Sequence, residues 1–477
     1  MKPIRLIACV LLPAILVGCE PEKIVWSPDG SRAVVFANQH VYLCDPNGVL
    51  TDGGAMKIPQ AFAWFANSRR IAFSTETTTR DWSEVESVLS DQDKAWLTES
   101  AEAFRADILA NYRDDLKALK SAQGRTVQQL QLMKMYLRDR HPEGLAERIG
   151  PKWQEFVNAS WDNIALTTAD VTDNGIQTNR VIVRSMDQIV CIRLNNQSKT
   201  IAYTLKRPPV GLEGPQSLCV AASDGSEAPR QAATNTGWYF DWTPDGTILI
   251  YATNGDVASS PSPRVKLGTI SRRKVCGTDG SLLKHFSEDN ELAAIFFSPL
   301  MQIRCLRDGR IFFSSVEGSL PATAMDMPTK ESLFALDPAR QDTVTRVFPS
   351  QVQAALPNEL TLFSVSPDQT CVCAPGIDEG EVSIVGLRDA EVQYLVRARD
   401  TQTTTATSSP SSAPGFGIKL AVVPTWRTGH ELCLMVPPGS PYGSPNRPEI
   451  ILYSASDKFR CISKTWPDSL IENLSNP

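Results

Sequence analysis

The sequence predicts an all-β propeller of seven four-stranded blades, with a helical insertion in the second blade. Three observations carry the prediction. A strand–turn–strand motif recurs seven times along the 477 residues. A second alternating strand follows most copies, and a fourth apolar segment completes several units. Between about residues 81 and 160 the apolar period changes from two to the helical 3.6.

The seven copies are IVWSPDGSRAVVF from Ile24, AFAWFANSRRIAF from Ala61, VCIRLNNQSKTIAY from Val190, FDWTPDGTILIYA from Phe240, IRCLRDGRIFFSS from Ile303, FSVSPDQTCVCAP from Phe363 and VPTWRTGHELCLM from Val423. The first and fourth agree almost letter for letter. The third, fifth and seventh are degenerate, which leaves six or eight blades compatible with the pattern. The second unit reads HVYLCDPNG, QSLCVAASDG, RRKVCGTDG, ESLFALDPAR, VSIVGLRDA or EIILYSASDK, and TVTRVFP and EVQYLVRA supply fourth strands.

Turn chemistry explains the motif. Proline presets φ at the first corner, aspartate binds its own backbone two residues on, and glycine takes the positive φ at which the chain reverses. Asp29–Gly30, Asp245–Gly246, Asp308–Gly309 and Asp368 occupy these places and read as turn residues rather than catalytic acids. Trp26, Trp64, Trp242 and Trp426 fall at one repeat position. Repeat-spaced aromatics belong between blades, so ligand stacking is the weaker reading.

The W-S-P-D-G start resembles that of TolB-like, WD-like propeller repeats, over roughly residues 22–470 with one interruption. The resemblance implies blades stacked radially, each covering its neighbour's apolar face. It also implies a partner that is another envelope protein met on the periplasmic side.

The N-terminus, MKPIRLIACVLLPAILVGC, has two basic residues and then an apolar run from Leu6 to Val17, short for a membrane span. Leu16-Val17-Gly18-Cys19 resembles the lipobox of bacterial lipoproteins. In that family the signal is cut before the cysteine, whose thiol then carries a diacylglycerol. The expectation is a signal peptide over residues 1–19 with Cys19 as a membrane anchor. Glu20, rather than aspartate, follows it, and by that family's sorting rule this favours the outer membrane of a two-membrane bacterium, facing the periplasm.

The formal net charge of −6 argues against a nucleic-acid partner. Beyond Cys9 and Cys19, nine cysteines are scattered singly, most in strand-like apolar runs and without a CxxC. Buried thiols are expected, with one or two disulfides left open.

The propeller is expected over 20–80 and 161–472 as one discontinuous, monomeric domain, and the helical subdomain over 81–160. There Trp96, Phe104, Ile108, Leu109, Tyr112, Leu116 and Leu119 share one face, Ser90 is a candidate N-cap paired with Asp93, and His141-Pro142 ends a second helix bearing Val127, Leu130, Met133 and Leu137. Three or four helices are expected.

With strands lettered a to d outward from the axis, the a–b and c–d turns are short. The b–c loops LKRPPVGLEGPQ, TNGDVASSPSPR and VPPGSPYGSPNRP are long, as is the d–a segment over residues 399–415, expected to be a flexible Ser/Thr/Pro loop. Long loops and insert therefore share one face, the expected working face.

Catalytic and cofactor signatures are missing. His40, His141, His285 and His430 are not at metal-ligand spacings. There is no GxSxG elbow, P-loop or dinucleotide fingerprint, and DVTDNG lacks the later glutamate of a calcium loop. No metal or cofactor is expected. The favoured reading is an envelope lipoprotein whose propeller is a scaffold for binding an envelope protein or polymer. The alternative is a propeller hydrolase or lyase acting on a glycan or lactone at the axial mouth.

Overall fold

The computed structural model describes residues 23–37, 40–56, 59–111, 127–173, 175–206, 216–254, 266–297, 300–316, 331–340, 343–354, 363–375, 382–390, 392–395, 425–436, 449–456 and 458–463. Its strands form seven four-stranded antiparallel sheets, each built from four consecutive strands. The innermost strands are Lys23–Trp26, Phe62–Trp64, Gln188–Leu194, Thr236–Trp242, Ile303–Cys305, Ser364–Val365 and Thr425–Trp426. Each corresponds to one copy of the repeat. The chain is a seven-bladed β-propeller.

Seven apolar clusters fill the seven joints between blades. Strand alternation sends successive side chains to opposite faces of a blade. Ile71 and Phe73 thus pack on blade 1, and Ala72 on blade 3. The ring closes without strand exchange, because blade 1 uses only N-terminal strands and blade 7 only C-terminal ones. The closing cluster joins Trp26, Val35, Tyr42 and Cys44 to Cys433, Ile450, Leu452 and Ile462.

The repeat tryptophans staple these joints. Indole N–H groups donate from Trp64 to the carbonyl of Val25 (3.0 Å), from Trp242 to that of Arg193 (3.3 Å) and from Trp426 to that of Ser364 (3.4 Å). All three acceptors hold the same repeat position in the preceding blade. At the closing joint Trp26 lacks a carbonyl acceptor. There the Arg427 guanidinium lies over its ring at 5.0 Å, and Arg427 Nε donates to the Gly30 carbonyl at 3.3 Å.

The a–b turns form a second ring. In four of them an aspartate gathers its own corner: Asp29 Oδ1 accepts from Ser27 Oγ, Ser31 N and Ser31 Oγ at 2.7–3.0 Å. Asp245 and Asp368 repeat the pattern with Thr243 and Thr247 and with Ser366 and Thr370, and Asp308 accepts from Arg310 N. The corners also touch one another. Asp29 N donates to Ser68 Oγ, Ala66 N to Ser198 Oγ, Asn196 Nδ2 to the Pro244 carbonyl, and Arg307 N to Gln369 Oε1. This contact dictates glycine at two corners beyond its positive φ. A Cβ on Gly30 would stand 2.9 Å from the Arg427 carbonyl, and one on Gly246 would overlap the Asn196 side chain.

Asp29 titrates accordingly. Burial opposes its ionisation, but hydrogen bonds from Ser27 and Ser31 outweigh it and bring the carboxyl from 3.8 down to about 2. A depressed carboxyl stabilises the fold above its unfolded pKa and loses that contribution as pH falls toward the folded value. Asp29→Ala is therefore less stable than wild type at pH 7, and the gap narrows between pH 4 and pH 2. Urea melts across that range read it; a gap independent of pH overturns the assignment.

The nine described cysteines form no disulfide with one another, so the pairings left open by the sequence do not occur among them. Burial pushes the thiols of Cys44, Cys219 and Cys433 up to about 12, as expected of small core hydrophobes.

Candidate interaction face

Between the second and third strands of blade 2, Arg70–Thr79 and Trp161–Thr172, the described residues form five α-helices: Trp82–Val88, Asp91–Asn111, Val127–Arg140, Leu145–Ile149 and Trp153–Val157. Ser90 caps the long helix, its Oγ accepting from Asp93 N at 3.1 Å while donating back to the Asp93 carboxylate. The third helix ends at Arg140, before His141-Pro142. These helices bury a core of their own, centred on Trp82, Leu97, Phe104, Met133, Leu137 and Phe156.

Two details differ from the sequence expectation. The first helix, capped by Asp81, is additional to the three or four expected. The long helix buries Leu97, Ala101 and Phe104, while Trp96 and Leu109 are only partly covered. Leu97 and Ala101 escaped the sequence pattern because alanine carries no weight in an apolar stripe and Leu97 adjoins a tryptophan that did.

The lobe is seated on its own blade. Trp161 and Met186 pack against its core, and Arg138 donates to the carbonyls of Arg80, Val157 and Ala159. This places it at the long-loop end of blade 2. Beside it, a cleft of about 220 Å³ opens where the connection from blade 1 (Met56, Pro59, Gln60) meets Ser74, Glu76 and Ile164. Ser74 is already engaged, exchanging hydrogen bonds with the backbone of Ala61. The cleft is smaller than usual small-molecule sites of ~300–1,000 Å³.

Among the described residues the inner wall carries one ion pair. Arg193 and Asp241 sit at equivalent positions of blades 3 and 4, with Nε 3.7 Å from Oδ1. Arg193 Nε also donates to the Phe240 carbonyl at 2.9 Å. Asp241 accepts from Trp242 N and, through Oδ2, from Cys305 N of blade 5, both at 3.0 Å. Burial pushes the Asp241 carboxyl up, against the pull of Arg193 and the two N–H groups. Its contacts with Arg193 and Cys305 N serve the joints between blades 3, 4 and 5. Among the described innermost strands it is the one carboxylate, and it is engaged in these contacts.

The sequence-singled residues divide by location. Trp26, Trp64 and Trp242 are buried between blades and Trp426 is half-buried there. Asp29, Gly30, Asp245, Gly246, Asp308, Gly309 and Asp368 lie in the a–b turns, on the face opposite the lobe. Cys19, the three long b–c loops apart from their flanking strand residues, and residues 399–415 lie outside the described residues, as do Tyr112, Leu116 and Leu119. Among the described residues no cluster of three or more His, Cys, Asp or Glu could hold a metal, and no helix is long and apolar enough to cross a membrane. Asp170 of DVTDNG lies in the third strand of blade 2, where it pairs with Arg70 of the second strand at 3.6 Å.

No family model and no curated protein matches the sequence. Solved structures similar to it include TolB proteins and a β-propeller domain. TolB from Acinetobacter baumannii is 15% identical, with a TM-score of 0.38 over 62% of this chain and 59% of that one. The β-propeller domain of Cps50 (Swd1) from Myceliophteria thermophila is 10% identical, with a TM-score of 0.44 over 91% of this chain and 96% of that one. An acylaminoacyl peptidase from Pyrococcus horikoshii is 10% identical, with a TM-score of 0.35 over 63% of this chain and 41% of that one. The seven blades themselves, rather than these scores, establish the fold.

Proposed function

We propose that the chain is a lipid-anchored cell-envelope protein whose propeller is an interaction scaffold, with the long-loop face and helical lobe as its docking surface. The carrying observation is the lobe. It has its own core, stands on one face of one blade, and serves none of the seven joints that hold the ring. A scaffold needs such an addition for binding rather than for folding. The lipobox at Cys19 supports the anchor, and the resemblance of the WSPDG turns to TolB-like repeats supports an envelope protein or polymer as partner.

Thr79 and Trp161 are partners across the ladder, so a two- to five-residue Gly/Ser bridge closes the hairpin once residues 82–159 are removed. The expected result is a shortened chain that keeps its strand-rich circular dichroism and loses the proteins or polymers captured by the full chain from envelope extracts. Unchanged capture overturns the docking role, and loss of folding overturns the separateness of the lobe.

A further inference from the structure

We infer that the joint of blades 3 and 4 holds, at its long-loop end, a binding site for a carboxylate flanked by a peptide amide, as a polypeptide C-terminus or an aspartate of a docked partner presents it. This names the chemistry of the partner and rests, for there being one, on the docking face proposed above.

Alternation decides which side chains share the joint. On the second strand of blade 3, Thr200–Lys206, Ala202 belongs to the apolar cluster of this joint, so Thr204 and Lys206 follow on the same face. On the third strand, Gln216–Ala222, Leu218 and Val220 belong to it, and Gln216 follows, opposite Lys206 in the ladder. Blade 4 contributes the start of its innermost strand. Thr236 pairs with Thr253, two residues along the chain from Tyr251 of the same cluster. The Trp238 carbonyl accepts from Thr204 Oγ1 at 2.8 Å, and the Lys206 ammonium stands 4.5 Å from the centre of the indole ring.

Deeper in the joint Leu218, Phe240, Trp242 and Tyr251 pack together, but the long-loop end is polar and unmatched. Gln216 is 1% exposed, and neither its Oε1 nor its Nε2 has a hydrogen-bond partner among the described residues. Thr236 Oγ1 and Trp238 Nε1 are buried and equally without one. Such atoms are costly and uncommon in native folds, and their gathering at one end of one joint points to a ligand. The ladders bend to the same place. Register shifts fall between Thr236 and Phe240, at Thr204/Leu205 and at Leu218/Cys219, and bulges re-aim side chains beside functional sites.

Charge selects the ligand. At other joints Arg193 faces Asp241, Arg273 faces Asp289 and Arg427 faces Glu431. Lys206 has no such carboxylate among the described residues, and burial lowers the pKa of its ammonium. One unpaired cation beside one indole N–H suits a single carboxylate. The amide of Gln216, donor and acceptor both free, matches the C=O and N–H of an adjoining peptide group.

The test titrates the full chain, isotope-labelled at tryptophan, and follows the indole N–H resonance of Trp238, assigned by its loss in Trp238→Phe. N-acetylglycine presents a terminal carboxylate, and the α-methylamide of N-acetylaspartic acid presents a side-chain one. N-acetylglycinamide is the neutral control. A saturable shift is expected from a carboxylate and not from the control, and the tighter of the two acids tells terminus from side chain. Lys206→Met is expected to weaken binding about tenfold. Gln216→Leu does the same without lowering the midpoint of thermal unfolding, because it removes an unmatched buried amide; a glutamine kept only for structure would lower it. No saturable shift from either acid, an equal shift from the control, or unchanged binding in both variants overturns the site. The probes need no partner, so that failure is distinct from failure of the docking face, which deletion of the lobe reads.

Discussion

Replacing Trp242 with alanine lowers the free energy of unfolding by about 3–5 kcal/mol, the usual range for removing a large buried aromatic. The side chain is 6% exposed. It packs at the joint of blades 3 and 4 with Phe240, Leu249, Tyr251, Leu218 and Cys191, and its indole donates to the Arg193 carbonyl. Trp242→Phe keeps most of the apolar contact and gives up the hydrogen bond, and costs about 1–3 kcal/mol. Trp26 makes the contrast. It occupies the same repeat position without a carbonyl acceptor, so Trp26→Phe costs less than Trp242→Phe. Denaturant melts of the four proteins give the ranking. Equal losses for the two phenylalanine variants overturn the staple, and a loss below about 1 kcal/mol for Trp242→Ala removes inter-blade packing as the force holding the ring.

The fold was legible because its corners are local. A Pro-Asp-Gly turn needs nothing distant, and two of them with five degenerate copies at blade spacing leave few architectures. The degenerate copies show how loosely the letters are held. Asn67 and Asn195 gather their corners as aspartate does elsewhere, and Ser68, Ser198 and Gln369 adopt positive φ where other copies use glycine. The contacts between corners were not legible. Ala66 meets Ser198 across 132 positions of chain, and nothing local in the blade 2 corner announces it.

The working face was legible only through its loops, and much of that face lies outside the described residues. The inner-wall ion pair left a trace that the repeat reading passed over. Asp241 in FDW and Arg193 in CIRL are charged residues inside otherwise apolar innermost strands, at one position of adjacent copies. A charge at an inward repeat position is the signal for such a pair.

Asp241→Ala costs about 3 kcal/mol, while Asp241→Asn stays within about 1 kcal/mol of wild type. Alanine leaves Cys305 N–H without its acceptor and Arg193 without its counter-charge, in a wall where the two side chains are only 18% and 27% exposed. Asparagine keeps an oxygen for the N–H group and avoids the desolvation that raises the carboxyl of Asp241. The sign of the pH dependence is opposite to that at Asp29. A carboxyl raised by folding contributes most below its unfolded pKa and less as pH rises through the folded one, so wild type gains on Asp241→Asn as the solution is acidified. Stability curves of the three proteins at pH 7 and pH 4.5 decide it. If asparagine is as damaging as alanine at pH 7, the negative charge itself is what the wall requires. The joint between blades 4 and 5 would then be electrostatic, rather than a hydrogen bond standing where Cys305 has replaced the stapling tryptophan.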